Sequence, residues 1–365
     1  MLIARTPVRI SFGGGGTDLE SYYSKYGGLV VSAAINKYFY TVITLRDDNL
    51  IQIISSDYQD IQSIEDYNHL TLGGALSLPK AVLKHFKVKR GMNIFLASEI
   101  PPGTGLGSSG AVAVNLVNSI AALNGKIDSK RELAEEAYRV ETELLHLPVG
   151  KQDQYAAAYG GLNYIIFEKK KIIVLPLCVS EETLARLEKN IMLFFTGSTR
   201  NSINILQEQN KSSRDDKPPV IEALDKMKIL ALQTRDVLKE GNLQGFGEIL
   251  HRSWEYKKRL AKGITNARID HCYELALQEG ALGGKIAGAG GGGFLMLYCD
   301  AEYQSRVSKA LEAEGLKEMK FKFDFEGSQI ILNDPFFEKR GNGKFLNGIQ
   351  EREKQLMLLP EMMEV

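Results

Sequence analysis

Three glycine-dense runs constrain this chain more than any other feature: SFGGGGTDL at 11–19, IPPGTGLGSSGAVAV at 100–114 and KIAGAGGGGF at 285–294. Glycine loses more conformational freedom on folding than any other residue, so it clusters where the backbone must take unusual angles or approach another group closely. Each run adjoins a strand-like or helix-like stretch. Singly, each suits a structural turn; together they predict backbone closing on a ligand from several sides.

Gly105-Leu-Gly107-Ser-Ser-Gly110 and Gly288-Ala-Gly290-Gly-Gly-Gly293 both fit the G-x-G-x-x-G template of dinucleotide sites. That template also needs a strand before it, a helix after it and an acid about twenty residues on, at the tip of the next strand. Asp128 has the spacing but opens a helix, and the second match precedes a strand. Neither is a dinucleotide fingerprint. A Walker A loop is excluded too, since no G-x-x-x-x-G-K-[ST] occurs and Lys285 is followed by Ile286. What remains at 101–110 is a loop leading into a helix, whose free N–H groups and positive dipole end suit a phosphate. Ser108 and Ser109 add hydroxyls for a phosphate oxygen or Mg²⁺. A glycine-rich turn with Ser109 as N-cap is the other reading of the same residues.

Charge and hydropathy narrow the partners. Lys and Arg total 45 and Asp and Glu 45, so no global field recommends nucleic acid or an anionic membrane. The start MLIARTPVRISF is charged too early for a signal peptide, and no apolar run reaches the roughly 18 residues of a membrane span, which predicts a cytoplasmic protein. With 365 residues and 44% hydrophobic content the chain predicts two domains. Cys178, Cys272 and Cys299 lack metal or disulfide spacing and read as small buried hydrophobes.

The pattern predicts paired strands at 29–46 and 50–54 around Asp47-Asp48-Asn49, a strand at 92–100 and a helix at 109–123. Ser129-Lys-Arg-Glu132 is a capping box for a helix at 130–146. LNYIIF and KIIVLPL predict a hairpin, NKSSRDDKPP (210–219) a mobile loop, and helices follow at 220–240, 242–260 and 266–279. Beyond 285 come strand FLMLYC, a helix at 301–314, and strands MKFKFDF and QIILN, implying a β-α-β unit packed on helices. On the 130–146 helix, Leu133, Ala134, Ala137, Val140, Leu144 and Leu145 form an apolar stripe with Glu141 in its middle. A carboxylate on a buried face wants a cation. Asp153 follows in GKQDQYAAAYGG, beside small residues where a ligand can approach; the alternative for it is a loop cap.

PPGTGLGSSGA resembles the phosphate loop of the GHMP kinases, the family of galactokinase and of homoserine, mevalonate and phosphomevalonate kinases, and KIAGAGGGGF resembles their C-terminal glycine motif. TPVRISFGGGGTD lines up without a gap on galactokinase's A-P-G-R-x-N-x-I-G-E-H-T-D, placing Arg9 on its arginine and Asp18 on its sugar-binding aspartate. VGKQDQ is similar to C-G-I-M-D-Q, which puts Asp153 on the catalytic aspartate, and Glu141 lies where the family has its magnesium glutamate. Gly15-Gly16 replaces galactokinase's Glu-His pair. That version, with KQDQYAAAYGGLN, FTGSTR and GALGGKIAGAGGGGF, resembles the D-glycero-D-manno-heptose 7-phosphate kinases; the resemblance spans about 3–333.

The resemblance implies an α+β, two-domain GHMP kinase fold: an N-terminal domain, ribosomal protein S5 domain 2-like, at 1–178; a ferredoxin-like C-terminal domain at 179–335; and a tail at 336–365, with the active site in the cleft. It implies ATP and Mg²⁺, and transfer of the γ-phosphoryl to the anomeric hydroxyl of a heptose 7-phosphate. Pro102, Gly103, Gly105, Leu106, Gly107, Ser108, Ser109 and Gly110 would hold the nucleotide phosphates, and Ser109 and Glu141 the metal. Asp153 would accept or orient the sugar hydroxyl, with Arg9 and Lys151 countering charge. Gly14, Gly15, Gly16, Thr17, Asp18, Gly288, Gly290 and Gly291 would face the substrate. Arg200 is first choice for the substrate's phosphate, followed by Lys257 and Lys258. The expected partners are a sugar phosphate and ATP, with no nucleic acid or membrane, and homo-oligomerisation is left open. A kinase for a non-phosphorylated sugar such as fucose, or a silent sugar and nucleotide sensor, are the rival readings.

Overall fold

The computed structural model describes residues 1–65, 67–199 and 203–334. Its strands are β1 (Leu2–Gly13), β2 (Gly28–Leu45), β3 (Ile51–Ser55), β4 (Asp60–Ile64), β5 (Met92–Ser98), β6 (Leu162–Phe167), β7 (Ile172–Pro176), β8 (Ile191–Phe195), β9 (Ala281–Ile286), β10 (Phe294–Cys299), β11 (Lys317–Met319) and β12 (Gln329–Asn333). The first sheet runs β12-β1-β2-β5-β3-β4, with β6 and β7 branching from β2. β2 is long enough to serve two partners: Phe39–Leu45 pairs β5 and Gly28–Ala33 pairs β6. Its first half, GLVVSAAI, is buried without a break, because helices Ser108–Leu123, Gln152–Tyr159 and Pro218–Lys239 all pack on it.

The second sheet runs β11-β8-β10-β9 with every neighbour antiparallel. β10 and β11 therefore run the same way on either side of β8, and helix Gln304–Ala313 crosses between them. This split β-α-β is the ferredoxin-like order that the resemblance implies. Among the described residues no helix is long and apolar enough to cross a membrane.

Five expectations change. The strands at 29–46 and 50–54 do not pair with each other; β5 lies between them, antiparallel to β2 and parallel to β3. The Asp47-Asp48-Asn49 turn folds over Gly91, where a Cβ would sit 1.9 Å from the Asp48 carbonyl oxygen, so the incoming β5 slots into the gap. NKSSRDDKPP is mostly helical: Ile203–Arg214 runs into it with Ser212 and Ser213 buried, and Pro218 opens the next helix at its first turn, where proline is favoured. Of MKFKFDF only Met319 belongs to a strand, β11, because the chain then crosses to the first sheet, where Phe323 bridges Ile35. QIILN pairs with β1 in the first sheet, so the expected 179–335 unit gives up residues 329–333. Cys178 is exposed just past β7, whereas Cys272 and Cys299 are buried. The 336–365 tail lies outside the described residues.

The two halves also meet through their glycines. Phe294 N–H donates to the Thr104 carbonyl at 3.1 Å. A Cβ on Gly288 would lie 2.6 Å from Gly105 Cα, and one on Gly105 would lie 2.4 Å from the Ala287 carbonyl oxygen. The second and third glycine runs thus lie backbone against backbone. Gly288→Ala meets both this clash and a φ of +65°, whereas Gly125→Ala has a φ of +71° with nothing within 4 Å. Gly125→Ala should cost about 1–2 kcal/mol for the left-handed backbone alone, and Gly288→Ala clearly more; urea melts of the two variants measure the difference.

Candidate active site

One cavity lies where the three glycine runs converge, with Arg9 and Ser11 of β1, Asp18, Asp153 and Lys285 among its walls. Gly15 and Gly16 come from the first run, Gly103 to Ser109 contribute from the second, and Gly288, Gly290 and Gly292 from the third. Helix Ser108–Leu123 opens at the cavity: Gly107 is its N-cap residue with a φ of 77°. Its first turn therefore offers free backbone N–H groups to an anion.

Arg9 is the hub of this arrangement. Its Nε donates to Asp153 Oδ1 at 2.8 Å, Nη2 forms an ion pair with the same oxygen at 2.7 Å, and Nη1 donates to the Gly105 carbonyl at 2.6 Å. Its backbone N–H donates to the Leu106 carbonyl at 2.9 Å. The glycines make this fit: a Cβ on Gly107 would lie 3.1 Å from Arg9 Cγ, and one on Gly110 would lie 2.7 Å from Asp153 Cβ. With Oδ1 held, Asp153 Oδ2 has no hydrogen-bond partner among the described residues.

Glu141 is fully buried, as its place in the apolar stripe requires. The helix begun at Lys130 changes to a π-turn over Val140–Leu144, a distortion common at functional sites. Ser109 Oγ donates to Glu141 Oε1, and Gln154 Nε2 donates to Oε2 at 2.5 Å. Burial pushes the Glu141 carboxyl up to about 7 against these two hydrogen bonds, and the nearby Asp153 charge adds to the rise. A carboxyl held this way, with only neutral partners and two oxygen-rich neighbours, is suited to a hard cation.

Asp18 faces the cavity from the other side. Gly16 N–H donates to its Oδ1 at 2.8 Å, Gln152 Nε2 to the same oxygen at 3.1 Å, and Gln152 N–H to Oδ2 at 3.2 Å. Burial first, and the Asp153 charge second, raise its pKa. Around it stand buried polar atoms without partners among the described residues: Ser11 Oγ, Gln152 Oε1 and Gln209 Nε2, with Ser108 Oγ at the helix start. Each such atom costs about 1–3 kcal/mol unless something bonds it. A polyhydroxylated ligand supplies those bonds.

Several residues sit elsewhere than expected. Thr17 is wholly buried, its hydroxyl bonded to the Gly14 carbonyl at 2.7 Å and to the Leu29 N–H at 3.0 Å, so it shapes the first loop instead of touching substrate. Gly14 is likewise packed on Leu29, with no room for a Cβ, and Pro102 and Gly291 stand off the cavity wall. Leu106 is buried and holds Arg9 through its carbonyl. Lys151 Nζ turns away to Glu135 at 2.8 Å, across the Tyr138 ring, where an acidic and aromatic pair satisfies it better than the cavity. Lys258 pairs with Glu255 at 2.6 Å, and Lys257 Nζ donates to the Ile286 and Gly288 carbonyls, bracing the third glycine run. Arg200 lies outside the described residues. Ser11, Gln152, Gln209 and Lys285 are cavity residues that the motifs did not single out.

The model of the GHMP kinases N terminal domain matches residues 75–161, and that of the GHMP kinases C terminal matches 234–317. The chain is 32% identical over 329 residues, 88% of its length and 96% of the other's, to a D-glycero-alpha-D-manno-heptose 7-phosphate kinase of Campylobacter jejuni. It is 28% identical to an L-fucokinase/L-fucose-1-P guanylyltransferase of Bacteroides fragilis, covering 84% of this chain and 35% of that protein. Among solved structures, a D-glycero-D-manno-heptose 1-phosphate kinase from Bacteriodes thetaiotaomicron superposes with a TM-score of 0.77 at 29% identity, over 92% of this chain and all of that one.

Asp153→Asn keeps the side chain's shape and cannot take a proton. Turnover should fall by about 10²–10⁴-fold with ATP affinity retained; steady-state rates beside nucleotide-binding calorimetry check it, and near-normal turnover makes Asp153 structural.

Proposed function

Because the chain belongs to the GHMP kinases, we propose that it transfers the γ-phosphoryl group of ATP to the anomeric hydroxyl of D-glycero-D-manno-heptose 7-phosphate, giving the 1,7-bisphosphate. One observation carries the reading: a carboxylate with a free oxygen, Asp153 Oδ2, stands between a glycine-lined helix start and a wall of unpartnered hydroxyl and amide groups. The first suits a polyphosphate and the second a sugar. The Campylobacter relative supports the heptose acceptor, and Gly15-Gly16 supports it independently. A Cβ at Gly16 would lie 2.3 Å from Gln209 Nε2, so a side chain there would displace a residue of the acceptor wall.

In this reading the loop from Gly103 to Gly110 holds the β- and γ-phosphates by backbone N–H groups. Arg9 fixes Asp153, whose Oδ2 takes or orients the proton of the anomeric hydroxyl. The acceptor oxygen then bonds to the γ-phosphorus as the bond to the β–γ bridging oxygen breaks, and ADP leaves. Asp18, Gln152 and Gln209 position the sugar hydroxyls. Ser109 and Glu141 fit Mg²⁺ by donor chemistry, two hard oxygens at the helix start, and the ion would neutralise charge between the phosphates. With ATP and a sugar phosphate as substrates, the reaction belongs in the cytoplasm.

ADP release measured across the heptose 7-phosphate, the heptose 1-phosphate, the unphosphorylated heptose and fucose tests the acceptor. Turnover on the 7-phosphate at least tenfold above the others is expected; fucose as the best substrate would replace the reading with the fucokinase one, and no turnover on any sugar would leave a sensor. Glu141→Gln should raise the Mg²⁺ concentration for half-maximal rate about tenfold or more with no loss of melting temperature, since the amide keeps the shape and relieves a buried charge. A lower melting temperature with an unchanged Mg²⁺ requirement would assign Glu141 to packing alone.

A further inference from the structure

We propose that Lys285 is a catalytic residue, its ammonium placed to carry positive charge to the γ-phosphoryl group as it is transferred; this rests on the kinase reading above. Lys285 sits near the end of β9, opposite Met296 of β10, three residues before the glycine that abuts Gly105. It is 3% exposed, and that remnant opens on the cavity it lines together with Arg9, Asp153 and Lys257.

The other two cations of this wall are committed. The Arg9 guanidinium is taken by Asp153 and the Gly105 carbonyl, and the Lys257 ammonium by the carbonyls of Ile286 and Gly288. Lys285 has neither a hydrogen bond nor an ion pair from its ammonium among the described residues; of the two carboxylates on the cavity wall, Asp153 is held by Arg9 and Asp18 by Gly16 and Gln152. An ammonium has three donors and no acceptor function, so burying it unpaired is costly. Burial, with the Lys257 and Arg9 charges beside it, holds its pKa well below the ordinary lysine range. A side chain kept in this state has its partner delivered from outside. The cavity's other walls say what arrives: the glycine-lined helix start brings an anion to this place, and the group that gains most from a nearby cation is the phosphoryl in flight, whose charge spreads over its equatorial oxygens. Lys285 makes and breaks no bond; the acceptor oxygen, the γ-phosphorus and the bridging oxygen exchange partners as above, and the proton stays with Asp153.

The test pairs turnover with stability. Lys285→Met should lower kcat by about 10²–10³-fold while the KM for ATP moves by less than about threefold, the split expected of an interaction made in the transition state. Its melting temperature should hold or rise, because a buried unpaired ammonium is removed. Lys285→Arg should recover part of the lost rate. A kcat within about threefold of wild type in Lys285→Met, or a rate loss that tracks a fall in melting temperature and is not recovered by Lys285→Arg, overturns the proposal. Wild-type protein that turns over no sugar at all overturns the kinase reading instead, and the inference with it.

Discussion

Everything at this site depends on one guanidinium. Arg9 holds Asp153 by a hydrogen bond and an ion pair to one oxygen and the Gly105 carbonyl by a further donor, and its own N–H holds the Leu106 carbonyl. β1 thereby fixes the Asp153 carboxylate and the second glycine run relative to each other. Arg9 is buried in the middle of the first sheet, where β1 pairs with β2 through Ala34, so the tether cannot drift with a surface loop. An arginine suits this task, because its planar guanidinium can reach Asp153 and the Gly105 carbonyl at once in fixed directions. The glycines at 107 and 110 follow from it: any side chain there would push Arg9 or Asp153 out of line.

The cavity keeps charge in a state that folding alone disfavours. Glu141 and Asp18 are buried acids with raised pKa values, and Lys257 and Lys285 are buried amines with lowered ones. Ser11, Gln152 and Gln209 add polar atoms with nothing to bond. Two apolar cores offset that cost, one running from the first sheet onto one face of the second and the other covering the second sheet's opposite face. Buried charge and unpaired polar atoms facing one cavity suit a site preorganised for a ligand.

Much of this was legible in the residues. The stripe on the 130–146 helix placed Glu141 inside, because helical periodicity is a local property, and the capping box at Ser129 formed as read. The non-local pairings were hidden. No local signal tells that β5 inserts between β2 and β3, or that QIILN returns to β1 across the whole chain. β9 was obscured by its own composition: ALGGKI holds two glycines, which weaken a strand pattern and extend the apparent loop. With β9 unseen, Lys285 looked like a loop lysine. Gln209 lay in a helix whose end was read as a polar loop, so its inward face was invisible. Lys151 misled for the opposite reason, its place beside Asp153 in sequence suggesting a shared role that Glu135 takes away.

The two ends of the cavity are built from different materials, and this has a chemical cause. A polyphosphate presents dense charge with little shape, and backbone N–H groups at a helix start recognise it whatever the side chains are. That end is made of glycine against glycine, Gly105 on Gly288 and Thr104 on Gly293, which holds the N–H groups still while leaving no side chain to vary. A sugar presents hydroxyls whose directions distinguish one from another, and only side chains can match them. That end is made of Asp18, Gln152, Gln209 and Ser11. In the reading proposed above, nucleotide use rests on close-packed backbone and acceptor choice on the side chains of the opposite wall. Kinases for quite different acceptors can share the first while diverging at the second, so the heptose reading stands or falls on the side-chain wall and not on the glycine runs that first drew attention to the chain.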